Sequence, residues 1–335
     1  MMRISTIIPA YNRADLIAAT LESILSQTRA PSEVIVVDDG STDGTADVVR
    51  AFGQAITLIC QANAGAAAAR NAGLAHATGE IVHFMDSDDI SSLNSYDVQG
   101  RAIESGADMT YGPWLKTRFS GRLIEPEKFA QQQRRIPAGV EIDRAVLLLQ
   151  WVTVFQPCLF RRSLIDSAGP YRTDLKPSED SELLYRLARR ARRIEHTPET
   201  IVLYRVHPEN QVSVQNPAQR LVDWANLLTV FQEHADARSD LGLYDRFMLR
   251  AEKLLAARDV WLANPALANT LDGGASGLDL TAVTTRKFAN RVGQKIRMMR
   301  HGYSMSPLFG LGKLTAEQKK QIDLLGYTFG QAENA

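Results

Sequence analysis

Along the first 115 residues the apolar positions switch repeatedly between strand and helix spacing. Ile4–Pro9 is a short β-rich run, and Ala14–Gln27 then carries Leu16, Ile17, Leu21, Ile24 and Leu25 at helical spacing. Glu33–Asp38 includes Val34, Ile35, Val36 and Val37, apolar on both faces as a central parallel strand requires. The alternation continues with helix over Asp43–Phe52, strand over Ile56–Cys60, alanine-rich helix over Ala66–His76, strand over Ile81–Met85, helix over Ser92–Glu104 and strand over Asp108–Leu115. This order predicts an α/β fold, a mostly parallel sheet with helices on both faces. In such sheets ligands bind beyond the carboxyl ends of the strands.

From Gly112 to Ile142 the pattern weakens, and Gly121, Pro126, Pro137 and Gly139 mark loops. Ser181–Arg190 reads as a helix and Thr200–Val206 as a strand. After about Gln215 the strand signal ends. Four helical patterns follow near Gln219–Ala235, Asp240–Ala263, Leu280–His301 and Thr315–Leu325, with a loop expected at Asn269–Gly277. A boundary near 215 therefore separates 1–215 from a helical region at 216–335.

The chain has 335 residues, 45% hydrophobic and 23% charged, as in an ordinary soluble globular protein. That length buries enough surface to fold without disulfides or a structural metal. Thirty-eight basic residues balance thirty-eight acidic ones, which argues against a dedicated nucleic-acid binder. Cys60 and Cys158 are two isolated cysteines among apolar neighbours, a poor start for a disulfide framework, and they fit a reducing compartment. Met1–Pro9 has no apolar stretch of signal-peptide length, so the start reads as mature cytosolic sequence. The strongly apolar uncharged run Ala145–Phe160 has 16 residues with Pro157 inside it. A bilayer span needs about 20, so this run reads as buried core.

Five polar clusters could carry chemistry. Asp38-Asp39-Gly40-Ser41-Thr42-Asp43-Gly44-Thr45 follows a central strand. It reads either as a tight turn capping the next helix or as a carboxylate placed to bond a base or ribose. Asp86-Ser87-Asp88-Asp89 follows another strand. Three carboxylates this close repel one another unless a cation or protons intervene, and hard oxygen ligands suit Mg²⁺ or Mn²⁺; the alternative is a solvated acidic turn. His83, inside the preceding strand, reads as a hydrogen-bonded structural histidine. In Ala64–Gly73 the small residues permit close packing, and Arg70 is either a surface arginine or a planar donor to a ligand. Ser178-Glu179-Asp180-Ser181 places acids in a helix's first turn, where they either serve the macrodipole or aim a general base into a cleft. Tyr204-Arg205-Val206-His207 ends a strand in a histidine, structural or metal-binding.

In this order, these clusters resemble glycosyltransferase family 2, the inverting nucleotide-sugar transferases of GT-A fold. The carrying residues are Ile7–Asn12, Val36–Asp43, Ala69–Gly73, Asp86–Asp89, Glu179-Asp180 and Tyr204–His207, and the similarity covers roughly residues 3–210. It implies a GT-A domain over 1–215, with a nucleotide-binding half (1–110) and an acceptor-binding half (111–215). Pro9, Ala10 and Tyr11 would line the nucleotide pocket. Asp39 would accept from a base such as uracil or thymine, and Arg70 would contact the nucleotide. Asp86 and Asp88 would form the D-x-D pair, with Asp88 the metal ligand and Asp86 nearer the ribose or metal. Asp180 would be the catalytic base, and His207 a further metal ligand. Leu93 departs from the proline many relatives carry, which affects only local loop shape. No Gln-x-x-Arg-Trp motif of processive synthases is present in the sequence.

The implied reaction moves a sugar from a UDP-sugar, with a divalent cation (Mn²⁺ or Mg²⁺), to a hydroxyl of a glycan, lipid-linked glycan or protein, in polysaccharide or glycoconjugate synthesis. A sugar nucleotidyltransferase is the rival enzyme, but Pro9-Ala10-Tyr11-Asn12-Arg13 lacks the glycine-rich phosphate loop it needs after the first strand. A non-catalytic nucleotide-binding relative is the other, disfavoured because all the acids and His207 are present. Residues 286–300 hold six basic residues and no acid, with Phe288, Val292, Ile296 and Met299 on one helical face. Such a helix either packs on the catalytic domain or rests on the inner membrane surface. The expected setting is cytoplasmic, with peripheral membrane contact as the alternative to packing.

Overall fold

The computed structural model describes residues 1–126, 131–133, 141–147, 153–175, 178–206, 217–263, 309–311 and 314–329. His207, the basic stretch 286–300, the helix expected over Leu280–His301 and the loop at Asn269–Gly277 lie outside the described residues. Strand β1 (Ile4–Ala10) leads through helix α1 (Ile17–Leu25) to β2 (Glu33–Asp38), then through α2 (Thr45–Arg50) to β3 (Thr57–Cys60). Helix α3 (Ala66–His76) crosses to β4 (Ile81–Phe84), followed by β5 (Ile90–Ser91), α4 (Ser95–Glu104) and β6 (Met109–Tyr111). Next come β7 (Trp114–Ser120), β8 (Leu123–Pro126), β9 (Gln131–Gln133), α5 (Ile142–Leu147), β10 (Cys158–Arg161), α6 (Arg162–Ala168), α7 (Glu179–Arg190), β11 (Ile194–His196) and β12 (Val202–Arg205). Helices α8 (Pro217–Asp236) and α9 (Leu243–Ala263) form a hairpin, and β13 (Phe309–Leu311), a helix at Ala316–Leu324 and β14 (Thr328–Phe329) follow.

Seven strands make the main sheet in the order β11-β6-β10-β4-β1-β2-β3. Only β10 runs antiparallel to its neighbours. Because β2 and β3 lie on one side of β1 and β4 on the other, the strand order reverses between β1 and β4. A crevice opens at such a reversal, beyond the carboxyl ends. The double-faced pattern of β2 explains its central place. Val34 and Val36 join Ile4, Ile8, Leu21 and Tyr96 on one face, while Ile35 and Val37 join Ile7, Ala69, Phe84 and Leu184 on the other. Helix α3 approaches β1 so closely that a Cβ on Gly73 would lie 2.4 Å from Ile7 Cγ2. The small residues of that helix are therefore a packing requirement.

Two expectations needed correction. The strand over Asp108–Leu115 is two strands in two sheets: β6 lies in the main sheet, and β7 in a second sheet ordered β14-β8-β7-β12-β5. Gly112 and Pro113 make the break. A Cβ on Gly112 would sit 2.3 Å from Thr200 Oγ1, and proline has no N–H for a ladder. Beyond residue 215 the chain is not purely helical. Thr328 and Phe329 pair in parallel with Leu123 and Ile124, and Ile322 and Tyr327 are buried in the second sheet's core. Strands of two and three residues are too short to show a two-residue period. Cys158 is buried as its neighbours suggest, Cys60 is exposed, and both are free. No described helix is long and apolar enough to cross a membrane.

Candidate active site at the sheet's carboxyl edge

The ends of β1, β2 and β4 lie side by side, with Ala10 opposite Asp38 and Ile7 opposite Phe84. Pro9 and Ala10 are buried in β1, whereas Tyr11 emerges at 47% exposure. Asn12 takes the left-handed conformation (φ 51°), its N–H donates to Ser41 Oγ, and its side chain accepts from Thr42 N–H. The β1 loop and the Asp-rich β2 loop are thereby stitched together.

Asp39 is 3% exposed. Its Oδ1 accepts from Gln61 Nε2 at 2.7 Å and from Ala64 N–H at 2.9 Å, and its Oδ2 accepts from Gly65 N–H at 2.7 Å. Gly65, at φ 93°, is the N-cap of α3. The carboxylate therefore caps that helix, where the macrodipole favours an anion. One lone pair on Oδ2 remains for a ligand donor. Asp38 takes the plain turn role, accepting from Ser41 N–H at 2.9 Å.

At the end of β4, one carboxylate oxygen from each of Asp86, Asp88 and Asp89 lies within 4.8 Å of the others. Asp88 pairs with Arg13 Nε at 3.2 Å. Asp89 is almost wholly buried; its Oδ1 accepts from Arg205 N–H at 2.9 Å, and its Oδ2 has no hydrogen-bond partner. Burial, then Asp88 and Asp86, push the Asp89 carboxyl well above the usual range. Burial also raises Asp86, with Arg70 pulling the other way.

Arg70, on α3 and 5% exposed, is the hub of the site. Its Nη2 donates to Asp86 at 2.7 Å, while Nη1 lies 3.3 Å from Glu179 and 3.5 Å from Asp180. Its guanidinium also lies over the Tyr171 ring, 5.3 Å from the centroid. A buried arginine must be paired in this way. These contacts hold Asp86, Glu179 and Asp180 together around one guanidinium. Glu179 and Asp180 occupy the first turn of α7; Glu179 is buried, and its carboxyl is pushed up to about 7 by burial and then by Asp180. Asp180 is one third exposed and can meet a substrate.

A buried relay holds Asp86 from the other side. The main-chain carbonyl of Gln156 can only accept, so His83 Nε2, 2.7 Å away, carries its proton. His83 Nδ1 then accepts from the Tyr96 hydroxyl at 2.8 Å, and Tyr96 accepts from Thr6. Burial pushes His83 down to about 4, consistent with a neutral ring. The side-chain amide of Gln156 donates to Asp86 Oδ2. Sequence reading did not assign site roles to Arg13, Gln156 or Glu179. Gln156 carried one signal, as one of three polar residues, with Gln150 and Thr153, in the uncharged run 145–160.

Five carboxylates (Asp86, Asp88, Asp89, Glu179, Asp180) thus gather near Arg13 and Arg70, with the Arg205 charge also acting on Asp89. The raised carboxyl groups and the unpartnered Asp89 Oδ2 mark a deficit of positive charge. The oxygen donor set suits a hard divalent cation.

The family described as Glycosyl transferase family 2 matches residues 5–169. An uncharacterized glycosyltransferase of Nostoc sp. is 45% identical over 93 residues, covering 27% of this chain and 29% of the relative. The UDP-Glc:alpha-D-GlcNAc-diphosphoundecaprenol beta-1,3-glucosyltransferase WfgD of Escherichia coli is 33% identical over 155 residues, covering 43% of this chain and 61% of WfgD. The chain thus spans less than two thirds of the length of either curated relative. Among solved structures, S. aureus TarS 1-349 in complex with UDP-GlcNAc aligns at TM-score 0.57 and 20% identity, over 81% of this chain and 84% of that one. The mannosyltransferase PcManGT of Pyrobaculum calidifontis, in complex with GDP-Man and Mn²⁺, aligns at TM-score 0.52 and 22% identity, over 87% and 80%. Both share the fold.

Proposed function

Since residues 5–169 make this chain a member of glycosyl transferase family 2, we infer that it transfers a sugar from a nucleotide-sugar, in the first place a UDP-sugar, to an acceptor hydroxyl with inversion at the anomeric carbon. The acceptor is a glycan, lipid-linked glycan or protein hydroxyl. The observation that carries the reading is the convergence of Asp180, distant in sequence, with Asp86 on Arg70, next to Asp88 at the end of β4.

Pro9, Ala10 and Tyr11 border the nucleotide, and Asp39 offers its remaining lone pair to the base. Asp88 and Asp86 would hold a divalent cation, with His207 as a further ligand. Bound there, Mn²⁺ or Mg²⁺ supplies Lewis-acid stabilisation of the negative charge developing on the departing diphosphate. Arg13, paired with Asp88, would give up that carboxylate to the cation. Asp180 takes the proton of the attacking hydroxyl, whose pKa lies far above 7, as the new C–O bond forms. Arg70 holds Asp180 in place beside Asp86, with Glu179 on the same guanidinium nitrogen.

Asp180→Asn tests the reading. With Mn²⁺ it should bind UDP-glucose within about twofold of wild type yet lose about 10²–10⁴-fold in transfer rate, the usual share of a general base. Full transfer by Asp180→Asn would refute the assignment.

A further inference from the structure

We infer that Gln156 contacts the sugar of the bound donor, accepting a hydrogen bond from one of its hydroxyl groups through Oε1; this rests on the transferase reading above. Gln156 is 4% exposed and precedes β10, on the wall facing Asp86. Its orientation is fixed twice. The main-chain carbonyl is held by His83, itself locked by Tyr96 and Thr6. The side-chain amide nitrogen is committed to Asp86, because a flipped amide would turn oxygen toward carboxylate.

That commitment leaves Oε1 buried with no hydrogen-bond partner. Buried amide oxygens in native proteins are almost always satisfied by protein, water or ligand. Tyr171 Oη and Glu179 Oε2 beside Arg70, and Asp89 Oδ2 at the end of β4, are buried acceptors in the same condition, next to the unpartnered donor Arg70 Nε. The amide oxygen of Gln156 can only accept, so it calls for a partner with O–H donors. Asp86 marks the diphosphate end of the site and Asp180 the attacking end, both on Arg70. The group lying between them during transfer is the donor's sugar, and its hydroxyls match this set of acceptors. A residue that bonds a substrate hydroxyl discriminates strongly against sugars lacking it, because its buried oxygen is then stranded.

The test is calorimetric binding of UDP, UDP-glucose and UDP-N-acetylglucosamine, each with Mn²⁺, to the full chain carrying Gln156→Leu or Gln156→Met. The wild-type protein should bind at least one donor more tightly than UDP. Both variants should lose about two- to tenfold of that advantage, the worth of one hydrogen bond. The deoxygenated analogue of the contacted position should lose as much on wild type and nothing further on the variants. Equal losses for UDP and donor would make Gln156 a positioning residue for Asp86 and overturn the inference. An unchanged donor advantage would overturn it too, leaving Oε1 to an ordered water. Wild-type protein that binds none of the three ligands would instead remove the transferase reading.

Discussion

At the scale of single residues, the site depends on how few cations hold its acids. Glu179 illustrates the cost. Its folded pKa, about 7, lies above the ordinary 4.5. Between those values the native state holds a proton that the unfolded state has lost, so stability falls as pH rises through that window. Below pH 4.5 the carboxyl is neutral in both states and costs nothing. Above 7 the full penalty is present, at most about 3 kcal/mol. Glu179→Gln should therefore raise the melting temperature by several degrees at pH 8 and by almost nothing at pH 4.5. A difference independent of pH would show that Glu179 is not a buried, strained acid. Asp39, Asp86, Asp88 and Asp180 were legible in sequence because each stands at a strand or helix end with acidic company. Gln156 was not, because its significance comes from a hydrogen bond across 70 residues. Arg70 was noticed but underestimated, since no sequence pattern reveals three carboxylates gathered on one guanidinium.

Among the elements, α3 does the most to build the site. Its amino end is capped by Asp39, its middle presents Arg70, and Asn71 grips the Tyr171 backbone through two 2.9 Å hydrogen bonds. All of this depends on close seating against β1, which only glycine at 73 allows. Gly73→Ala should cost about 1–3 kcal/mol, as overpacking does. It should also weaken UDP binding, because Asp39 and Arg70 move with the helix. Unchanged melting and binding would mean that α3 shifts freely. The alternating strands and helices up to Glu104 follow the apolar pattern within a few residues, because each buries its repeat against one continuous sheet. The pattern failed at Gly112-Pro113, where the chain leaves one sheet for another. Sheet membership is a long-range property that local periodicity cannot report.

For the molecule as a whole, residues 314–329 belong to the fold. Thr315 and Gln318 form a capping box at the start of the final helix, Gln318 donates to Pro198 O at 2.8 Å, and Ile322 and Tyr327 close the second sheet's core. Deleting 314–335 should lower the melting temperature by several degrees, since losing one buried isoleucine alone costs about 2–5 kcal/mol. An unaltered melting curve would make this tail an appendage. Farther in, α8 is tied to α7 by His234 on Glu182 at 3.2 Å and by Tyr185, whose ring packs at a tilt against Phe231 and His234. The helical pattern was legible beyond 215, but its docking onto both sheets was not.

The central claim is that acids distant in sequence meet at a site that would hold a divalent cation beside the donor's diphosphate. It is tested most directly by diffraction at the manganese edge from crystals of the full chain grown with UDP and Mn²⁺. The account predicts one anomalous peak within ligand distance of Asp88 and of the diphosphate, with the Arg13–Asp88 pair broken. Bound UDP with no peak beside Asp88, or a peak away from the end of β4, would contradict it.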